Sequence, residues 1–169
     1  MFLDPKEVLK RVGLFGDEVC ADFGSGSGGW TIPLAKLVKE GKVFALDILK
    51  EPLSALRAKI LDEKIDNVEI VEADIEKGVP LDEESCDVVL ISNVLFQVEN
   101  KEKVLAEAKR ILKKNGKILI VDWKKEARMG PQEKVDVEEI KNLAKKLILK
   151  VEDEFDAGKF HFGLLLKKE

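Results

Sequence analysis

The chain has 169 residues, of which 45% are hydrophobic and 37% are charged, and its formal net charge is -4. This length suits one folded unit with a sizeable core, so we predict a single domain over residues 1–169. The acidic balance, without a basic stripe, disfavours nucleic acid as a partner, because proteins that bind the phosphate backbone carry a basic surplus.

The cysteine and histidine content limits the chemistry further. Cys20 and Cys86 both lie in apolar, strand-like runs, which indicates two buried core side chains in a reduced protein. The chain has one histidine and no Cys/His cluster with metal-ligand spacing, so we expect no metal. We find neither a signal peptide nor an apolar run of membrane-spanning length, and we therefore expect a cytoplasmic protein.

Strand-like and helix-like segments alternate along the chain. Apolar runs predict strands over residues 18–23, 42–47, 68–73, 86–92 and 117–122. Amphipathic runs predict helices over residues 5–12, 28–39, 51–64, 101–113 and 137–146, with Asp4 as the N-cap of the first helix. Two further strands, 147–155 and 159–167, flank a hairpin turn. This alternation predicts an α/β fold with a parallel sheet covered on both faces and an antiparallel hairpin at its end.

Two segments show neither the strand-like nor the helix-like pattern. Residues 78–85 carry turn-forming side chains, which predicts a loop. Residues 124–136 are polar and are broken at Gly130 and Pro131. The second segment is either a solvated loop or a lid, and the sequence leaves both open.

The most informative stretch is DFGSGSGG, residues 22–29, between the first strand and the next helix. Glycines adopt backbone angles that other residues avoid, and they let the main chain approach a ligand closely. A helix that starts here presents free N–H groups, so we predict a nucleotide-like cofactor. Gly24, Gly26 and Gly29 satisfy the dinucleotide pattern G-x-G-x-x-G, which is weak evidence when it stands alone.

With Asp22 in front, Gly24, Gly26 and Gly28 also give D-x-G-x-G-x-G. This stretch resembles the first motif of the class I S-adenosylmethionine-dependent methyltransferases. The runs KVFALDI, VEADIEKG, SCDVVLISNVLFQV and AKRILKKNGKILIVDW resemble their later motifs in order. The resemblance covers residues 5–168, and its nearest members are small-molecule methyltransferases of the quinone-biosynthesis type.

The resemblance implies both a fold and an activity. The fold is a Rossmann-like three-layer sandwich, whose seven-stranded, mostly parallel sheet has the order 3-2-1-4-5-7-6 with strand 7 antiparallel. The activity is methyl transfer from S-adenosylmethionine to a small-molecule acceptor. The alternative is a catalytically inactive binding partner or regulatory module. Ser92-Asn93-Val94-Leu95-Phe96 departs from the Asn/Asp-Pro-Pro-aromatic signature, which argues against N-methylation of adenine.

Asp22 separates the two cofactor classes on electrostatic grounds. A pyrophosphate favours bare N–H groups without an acid nearby, whereas S-adenosylmethionine brings a cationic amino group and a sulfonium. An acid two residues before Gly24 suits those cations, so a nicotinamide or flavin nucleotide is the less favoured alternative.

Strand ends and the resemblance together give ten candidate cofactor residues: Asp22, Gly24, Ser25, Gly26, Gly28, Asp47, Ile48, Asp74, Ile75 and Asn93. Asp47 is expected to accept both ribose hydroxyls, with Ile48 on the adenine face. The resemblance assigns Asp74 and the Ile75 backbone to the adenine amino group, and Asn93 to the methionine part. The alternatives are a helix cap for Asp47, a loop role for Asp74 and a turn role for Asn93.

Two residues are candidates for the acceptor side. Trp123 follows the fifth strand and His161 begins the last one, which should run antiparallel, so both should lie at the same edge of the sheet. His161 can accept a proton near neutral pH, and Trp123 can line the acceptor pocket or face the sulfonium. The alternatives are a hydrogen-bonded surface histidine and a tryptophan at the edge of the core. We find no nucleophilic triad, and methyl transfer requires none.

Overall fold

A seven-stranded sheet forms the centre of the molecule, which the computed structural model describes over residues 2–169. Its strands are β1 (Val19–Phe23), β2 (Lys42–Asp47), β3 (Val68–Glu72), β4 (Cys86–Ser92), β5 (Leu112–Trp123), β6 (Leu149–Gly158) and β7 (His161–Lys168). They are arranged in the order β3-β2-β1-β4-β5-β7-β6. Strands β1 to β5 pair in parallel, and β7 is antiparallel to both neighbours. The predicted fold class, sheet order and antiparallel seventh strand are confirmed.

The helices are α1 (Pro5–Leu9), α2 (Thr31–Leu37), α3 (Lys50–Asp62), α4 (Lys101–Ile111) and α5 (Val137–Lys146). Asp4, Asn100 and Asp136 each precede a helix and accept a backbone N–H from its first turn. Such caps satisfy amides that have no partner inside the helix. The cap predicted at Asp4 is confirmed, and a 3-10 turn, Lys10–Val12, extends α1 to the predicted end.

Apolar side chains pack on both faces of the sheet. On one face, α4 and α5 cover residues such as Val89 and Ile118, and on the other α1 and α2 cover residues such as Leu90 and Leu119. Both faces of the central strand β4 are therefore buried, as its apolar sequence predicts. Cys20 and Cys86 are free and fully buried, which confirms their core role.

Several predicted boundaries differ from the structure by a few residues, and two of these differences have a clear physical cause. The helix predicted from residue 28 begins at Thr31, because Gly28 has a φ of 95° that no right-handed helix accepts. The helix predicted to end at residue 113 ends at Ile111, and β5 begins at once with Leu112 beside Cys86. The register then shifts around Asn115, whose φ is 65°, before the regular pairing resumes at Lys117.

One connection between strands has no helix. The segment between β3 and β4 is irregular, which confirms the predicted loop. The carboxyl ends of β1 to β4 lie at one edge of the sheet, and the strand order reverses between β1 and β4. Open α/β sheets bind ligands at such a point. Within residues 2–169, the structure has no helix long and apolar enough to cross a membrane.

Candidate functional site

A cavity of about 570 Å³ opens at the carboxyl ends of β1 to β4. Its walls come from the glycine turn after β1 and from the segments that follow β2, β3 and β4. Eight of the ten predicted cofactor residues line it, namely Gly24, Ser25, Gly26, Asp47, Ile48, Asp74, Ile75 and Asn93. Residues predicted from four separate motifs therefore meet in one space of the size that small-molecule sites have.

The glycine turn, residues 24–28, is hydrogen-bonded to β2 through its backbone amides. The N–H groups of Gly24 and Ser25 donate to the Leu46 carbonyl at 2.8 and 2.9 Å. The N–H of Gly26 donates to Oδ2 of Asp47 at 2.8 Å. These amides are therefore engaged within the protein, and the predicted free N–H groups are absent at these three positions.

Two of the glycines are also required by close packing. Gly24 has a φ of 73°, and a Cβ there would lie 2.3 Å from Cγ2 of Val94. Gly28 has a φ of 95°, and its Cβ would lie 2.4 Å from Cδ1 of Leu56 in α3. Gly24 therefore joins the turn to the wall after β4, whereas Gly28 packs α2 against α3 and does not line the cavity.

Asp47 connects three parts of the cavity. Its Oδ2 accepts the N–H of Gly26, and its Oδ1 accepts the N–H of Leu49 at 2.9 Å. Helix α3 has Leu49 as its N-cap, so the alternative role of Asp47 as a helix cap is wrong. Each carboxylate oxygen can accept a second hydrogen bond, so both still have capacity for a ligand.

The third wall follows β3. The Oδ1 atom of Asp74 accepts the N–H of Glu76 at 3.0 Å, and Lys77 lies 3.6 Å from its Oδ2. Ile75 is nearly buried, whereas Ile48 on the opposite wall is 57% exposed. These two apolar side chains and one carboxylate can enclose a flat, partly polar ring.

Two buried acceptors in the cavity wall have no partner in the protein. Oδ1 of Asn93 and Oγ of Ser25 are both inaccessible to solvent and without a hydrogen bond. Asn93 has a φ of 52°, and its N–H donates to the Val121 carbonyl at 2.8 Å. An unpaired buried polar atom costs roughly 1 to 3 kcal/mol, so these two atoms are unfavourable in the protein alone.

The charged side chains that line the cavity are all acidic. Asp47, Asp74 and Glu76 line the cavity, and among the described residues no lysine, arginine or histidine does. A carboxylate-rich cavity attracts cations and repels phosphate groups. The electrostatics thus favour a positively charged ligand over a pyrophosphate.

Asp22 lies behind the cavity and not in its wall. It is completely buried, and Oγ1 of Thr31 donates to its Oδ2 at 2.6 Å. Its Oδ1 has no partner. Burial raises the pKa of this carboxyl to about 7, assisted by the charge of Asp47 and opposed by the Thr31 hydrogen bond. Its predicted contact with the cofactor stays a prediction.

Trp123 and His161 meet, as predicted, but they do not line the cavity. They are paired residues of β5 and β7, and their ring centroids lie 4.2 Å apart with planes tilted by 42°. His161 is buried, and its Nε2 has no hydrogen-bond partner. Burial and the charge of Lys124 lower its pKa. Gly130 lies against the Trp123 ring, where a Cβ would be 2.4 Å from Cε3.

Sequence reasoning missed several lining residues. They are Trp30, Leu49, Pro52, Ala73, Glu76, Ser92, Val94, Gln97 and Val98. Most of them are next to a predicted site residue, so their position after a strand was the available signal. Gln97 and Val98 belong to a 3-10 turn, Leu95–Gln97, and the cap that follows it, which no sequence period revealed.

Comparison with known proteins identifies the family. The model of the methyltransferase domain matches residues 21–120. A demethylmenaquinone methyltransferase of Oceanobacillus iheyensis is 31% identical over 126 residues, which cover 74% of this chain and 52% of that protein. A ubiquinone/menaquinone biosynthesis C-methyltransferase of Azotobacter vinelandii is 35% identical over 106 residues, 62% of this chain and 42% of that protein. The chain belongs to the methyltransferase domain family, and it spans about half the length of these curated relatives.

Solved structures agree with this family. A SAM-dependent methyltransferase from Aquifex aeolicus superposes with a TM-score of 0.92 at 29% identity, over 99% of this chain and 91% of that one. The geranyl diphosphate C-methyltransferase of Streptomyces coelicolor, solved with S-adenosyl-L-homocysteine, gives a TM-score of 0.83 at 12% identity, over 98% and 79% of the two chains. The second match shows the fold alone. The resemblance to class I methyltransferases is confirmed.

Proposed function

We propose that this chain transfers the methyl group of S-adenosylmethionine to a small-molecule acceptor. The observation that carries this proposal is the cavity at the glycine turn, which is rich in acceptors and has no cationic side chain among its described lining residues. The named activities of the relatives support it, since they are methyltransferases of quinone biosynthesis.

The cavity residues fit the parts of this cofactor. Asp47 has acceptor capacity for the ribose hydroxyls, and Asp74 with the Ile75 backbone suits the adenine amino group. The exposed face of Ile48 suits the adenine ring. The unpartnered Oδ1 of Asn93 suits the ammonium of the methionine part, because that group can supply the missing donor.

The nicotinamide alternative fits less well. A dinucleotide pyrophosphate needs free amides at the glycine turn, and those of Gly24, Ser25 and Gly26 are engaged. It would also lie close to the carboxylates of Asp47 and Asp74. No contact in the described residues favours this alternative.

Methyl transfer requires the protein to align the acceptor with the methyl group, and it does not require a reactive side chain. When bound, S-adenosylmethionine supplies a methyl group that its sulfonium has already activated. The residues of this chain need to bind, orient and exclude water, and a base is required only if the acceptor must lose a proton. His161 suits that role because its lowered pKa keeps the imidazole neutral and able to accept a proton. The tilted ring of Trp123 packs against the imidazole of His161.

The finer assignments belong to the same proposal. The acceptor we propose is a small molecule of the quinone class, on the strength of the relatives' names. A cytoplasmic location and the absence of a nucleic-acid substrate stay predictions from the sequence. The alternative of an inactive binding partner predicts the same cofactor binding with no turnover across a broad screen of acceptors.

A thermal shift experiment tests the proposal. A ligand that binds the native state raises the melting temperature by mass action. We expect S-adenosylmethionine and S-adenosylhomocysteine to raise it and NAD to leave it unchanged. Stabilisation by NAD and not by the two sulfur nucleotides would overturn the proposal.

A further inference from the structure

A buried carboxylate outside the cavity holds one of its walls. Asp122 in β5 is completely buried and does not line the cavity. Its Oδ2 accepts the N–H of Leu95 at 3.0 Å, and its Oδ1 accepts the N–H of Trp123 at 2.8 Å. One side chain thus joins the segment after β4 to the end of β5.

The Asp122 carboxylate accepts a backbone N–H just beyond the point where the main-chain pairing of β4 with β5 ends. The pairing of β4 with β5 ends at Ser92, and one more main-chain bond joins Asn93 N–H to the Val121 carbonyl. The chain then turns away at Asn93, whose φ is 52°. Leu95 is nevertheless fully buried, and a buried N–H requires an acceptor. Asp122 supplies that acceptor from the neighbouring strand.

The segment held in this way forms the wall after β4. Asn93, Val94, Gln97 and Val98 all line the cavity. Within the segment, Gln97 N–H donates to the Val94 carbonyl at 3.1 Å. The Val94 side chain occupies the space where a Cβ of Gly24 would lie. Movement of this segment would therefore displace both the unpartnered Asn93 oxygen and the contact with the glycine turn.

We propose that Asp122 is a positioning residue for cofactor binding: its carboxylate fixes the turn at residues 93–97 and so sets Asn93 against the amino-acid end of S-adenosylmethionine. The inference rests on the proposed function, because it takes that cofactor as the ligand. Asp122 touches no ligand itself in this account. It acts through the backbone amide of Leu95, in a charge-assisted bond that a neutral side chain cannot equal.

Two ligands that differ at one end test this inference. S-adenosylhomocysteine carries the amino-acid group, and methylthioadenosine has the same adenine and ribose without it. Asp122→Asn keeps the side-chain volume but turns an N–H₂ group towards one of the two amides. We expect it to weaken S-adenosylhomocysteine roughly tenfold in calorimetric titrations and to leave methylthioadenosine nearly unchanged. Equal loss for both ligands, or none for either, would overturn the inference.

Asp87→Asn is the matched control. Asp87 also accepts a backbone N–H, that of Val19 at 2.8 Å, but it lies near the amino end of β4 at the opposite edge of the sheet. This variant should lower stability without changing the affinity ratio of the two ligands. If Asp122→Asn does not fold, Asp122→Ser takes its place with the same expected ratio, because a single oxygen on a shorter side chain replaces the two oxygens that hold the two amides.

A double-mutant cycle separates positioning from a general loosening. Asn93→Ala removes the side chain through which Asp122 is inferred to act. Adding Asp122→Asn to that variant should change the ratio of affinities little further, since the two effects share one contact. Fully additive losses would contradict the inference. Failure of the wild-type protein to bind either ligand would instead contradict the proposed function.

Discussion

The cavity at the glycine turn and the Trp123–His161 pair lie at the same edge of the sheet but are built differently. The cavity is open, lined by carboxylates and shaped by backbone turns around Gly24 and Asn93. The aromatic pair is packed more closely, because its ring centroids lie 4.2 Å apart and Gly130 lies against the Trp123 ring. The cavity is thus accessible to a small molecule in this structure, whereas the Nε2 atom of His161 is buried.

The largest effect we expect concerns Asp22, behind the cavity. Burial raises its pKa from 3.8 to about 7, so the native state holds a proton that the unfolded state releases. The free energy of unfolding therefore falls as the pH rises from about 4 to about 7. Asp22→Asn should raise that free energy by on the order of 3 kcal/mol at pH 8, and by less at pH 5.

Urea unfolding at the two pH values measures this difference. Asn keeps an acceptor for the Thr31 hydroxyl, so the change isolates the charge. At pH 8, where the carboxyl is ionised, the same substitution should weaken S-adenosylmethionine, because it removes a negative charge close to the glycine turn. Equal gains in stability at both pH values would show that the charge of Asp22 carries no such cost.

The next effect tests the preformed shape of the cavity. Alanine at Gly24 would collide with Val94, so Gly24→Ala should weaken S-adenosylhomocysteine roughly hundredfold in a calorimetric titration. Gly13→Ala is the matched control, since Gly13 has a φ of 74° and no atom within 4 Å of a Cβ. The control should lose only roughly 1 to 2 kcal/mol of stability and no affinity. Equal affinities in the two variants would contradict the role of Gly24.

Removal of the Asp47 carboxylate, at the end of β2, should have a smaller effect on affinity. Asp47→Ala should weaken S-adenosylmethionine by about 2 kcal/mol, because charge-assisted hydrogen bonds to the ribose are lost and the Gly26 and Leu49 amides are released. Equilibrium titration measures the change. Asp66→Ala, at an exposed acid ahead of β3 and at the opposite edge of the sheet, should have no effect. An unchanged affinity for Asp47→Ala would remove this residue from the ribose role.

The smallest effect concerns Gly130, which lies over the Trp123 ring. Gly130→Ala should push the segment away from Trp123 and cost roughly 1 to 2 kcal/mol of stability while leaving S-adenosylhomocysteine affinity intact. Acrylamide quenching, measured in a Trp30→Phe background, should show Trp123 more exposed. Gly78→Ala is the control, because its φ of 99° is similar and its nearest contact is 3.7 Å away. Equal quenching of Gly130→Ala and the parent would show that the exposure of Trp123 does not depend on this glycine.

Much of the fold could be predicted because local signals agree with the tertiary structure. The apolar run of β4 predicted a strand buried on both faces, and Asp4 predicted a helix start. The end of α4 was predicted wrongly, because Leu112 to Asn115 continue a helical composition. Pairing of Leu112 with Cys86 overrides that preference.

The residues that line the cavity were predicted better than the hydrogen bonds that fix its walls. Asp47 ends β2, Asp74 lies two residues after β3 and Asn93 follows β4, so parallel pairing brings them together without further information. The engagement of the Gly26 amide by Asp47 depends on a contact between residues 21 positions apart, which no local pattern encodes. The same holds for Leu95 and Asp122, which are 27 positions apart.

A crystal structure with S-adenosylhomocysteine tests the central claim most directly, namely that this carboxylate-lined cavity binds S-adenosylmethionine and its demethylated product. We expect the ribose at Asp47, the adenine between Ile48 and Asp74, and the amino group at Asn93. A ligand found elsewhere on the protein, or a diphosphate bound at the glycine turn, would contradict the account.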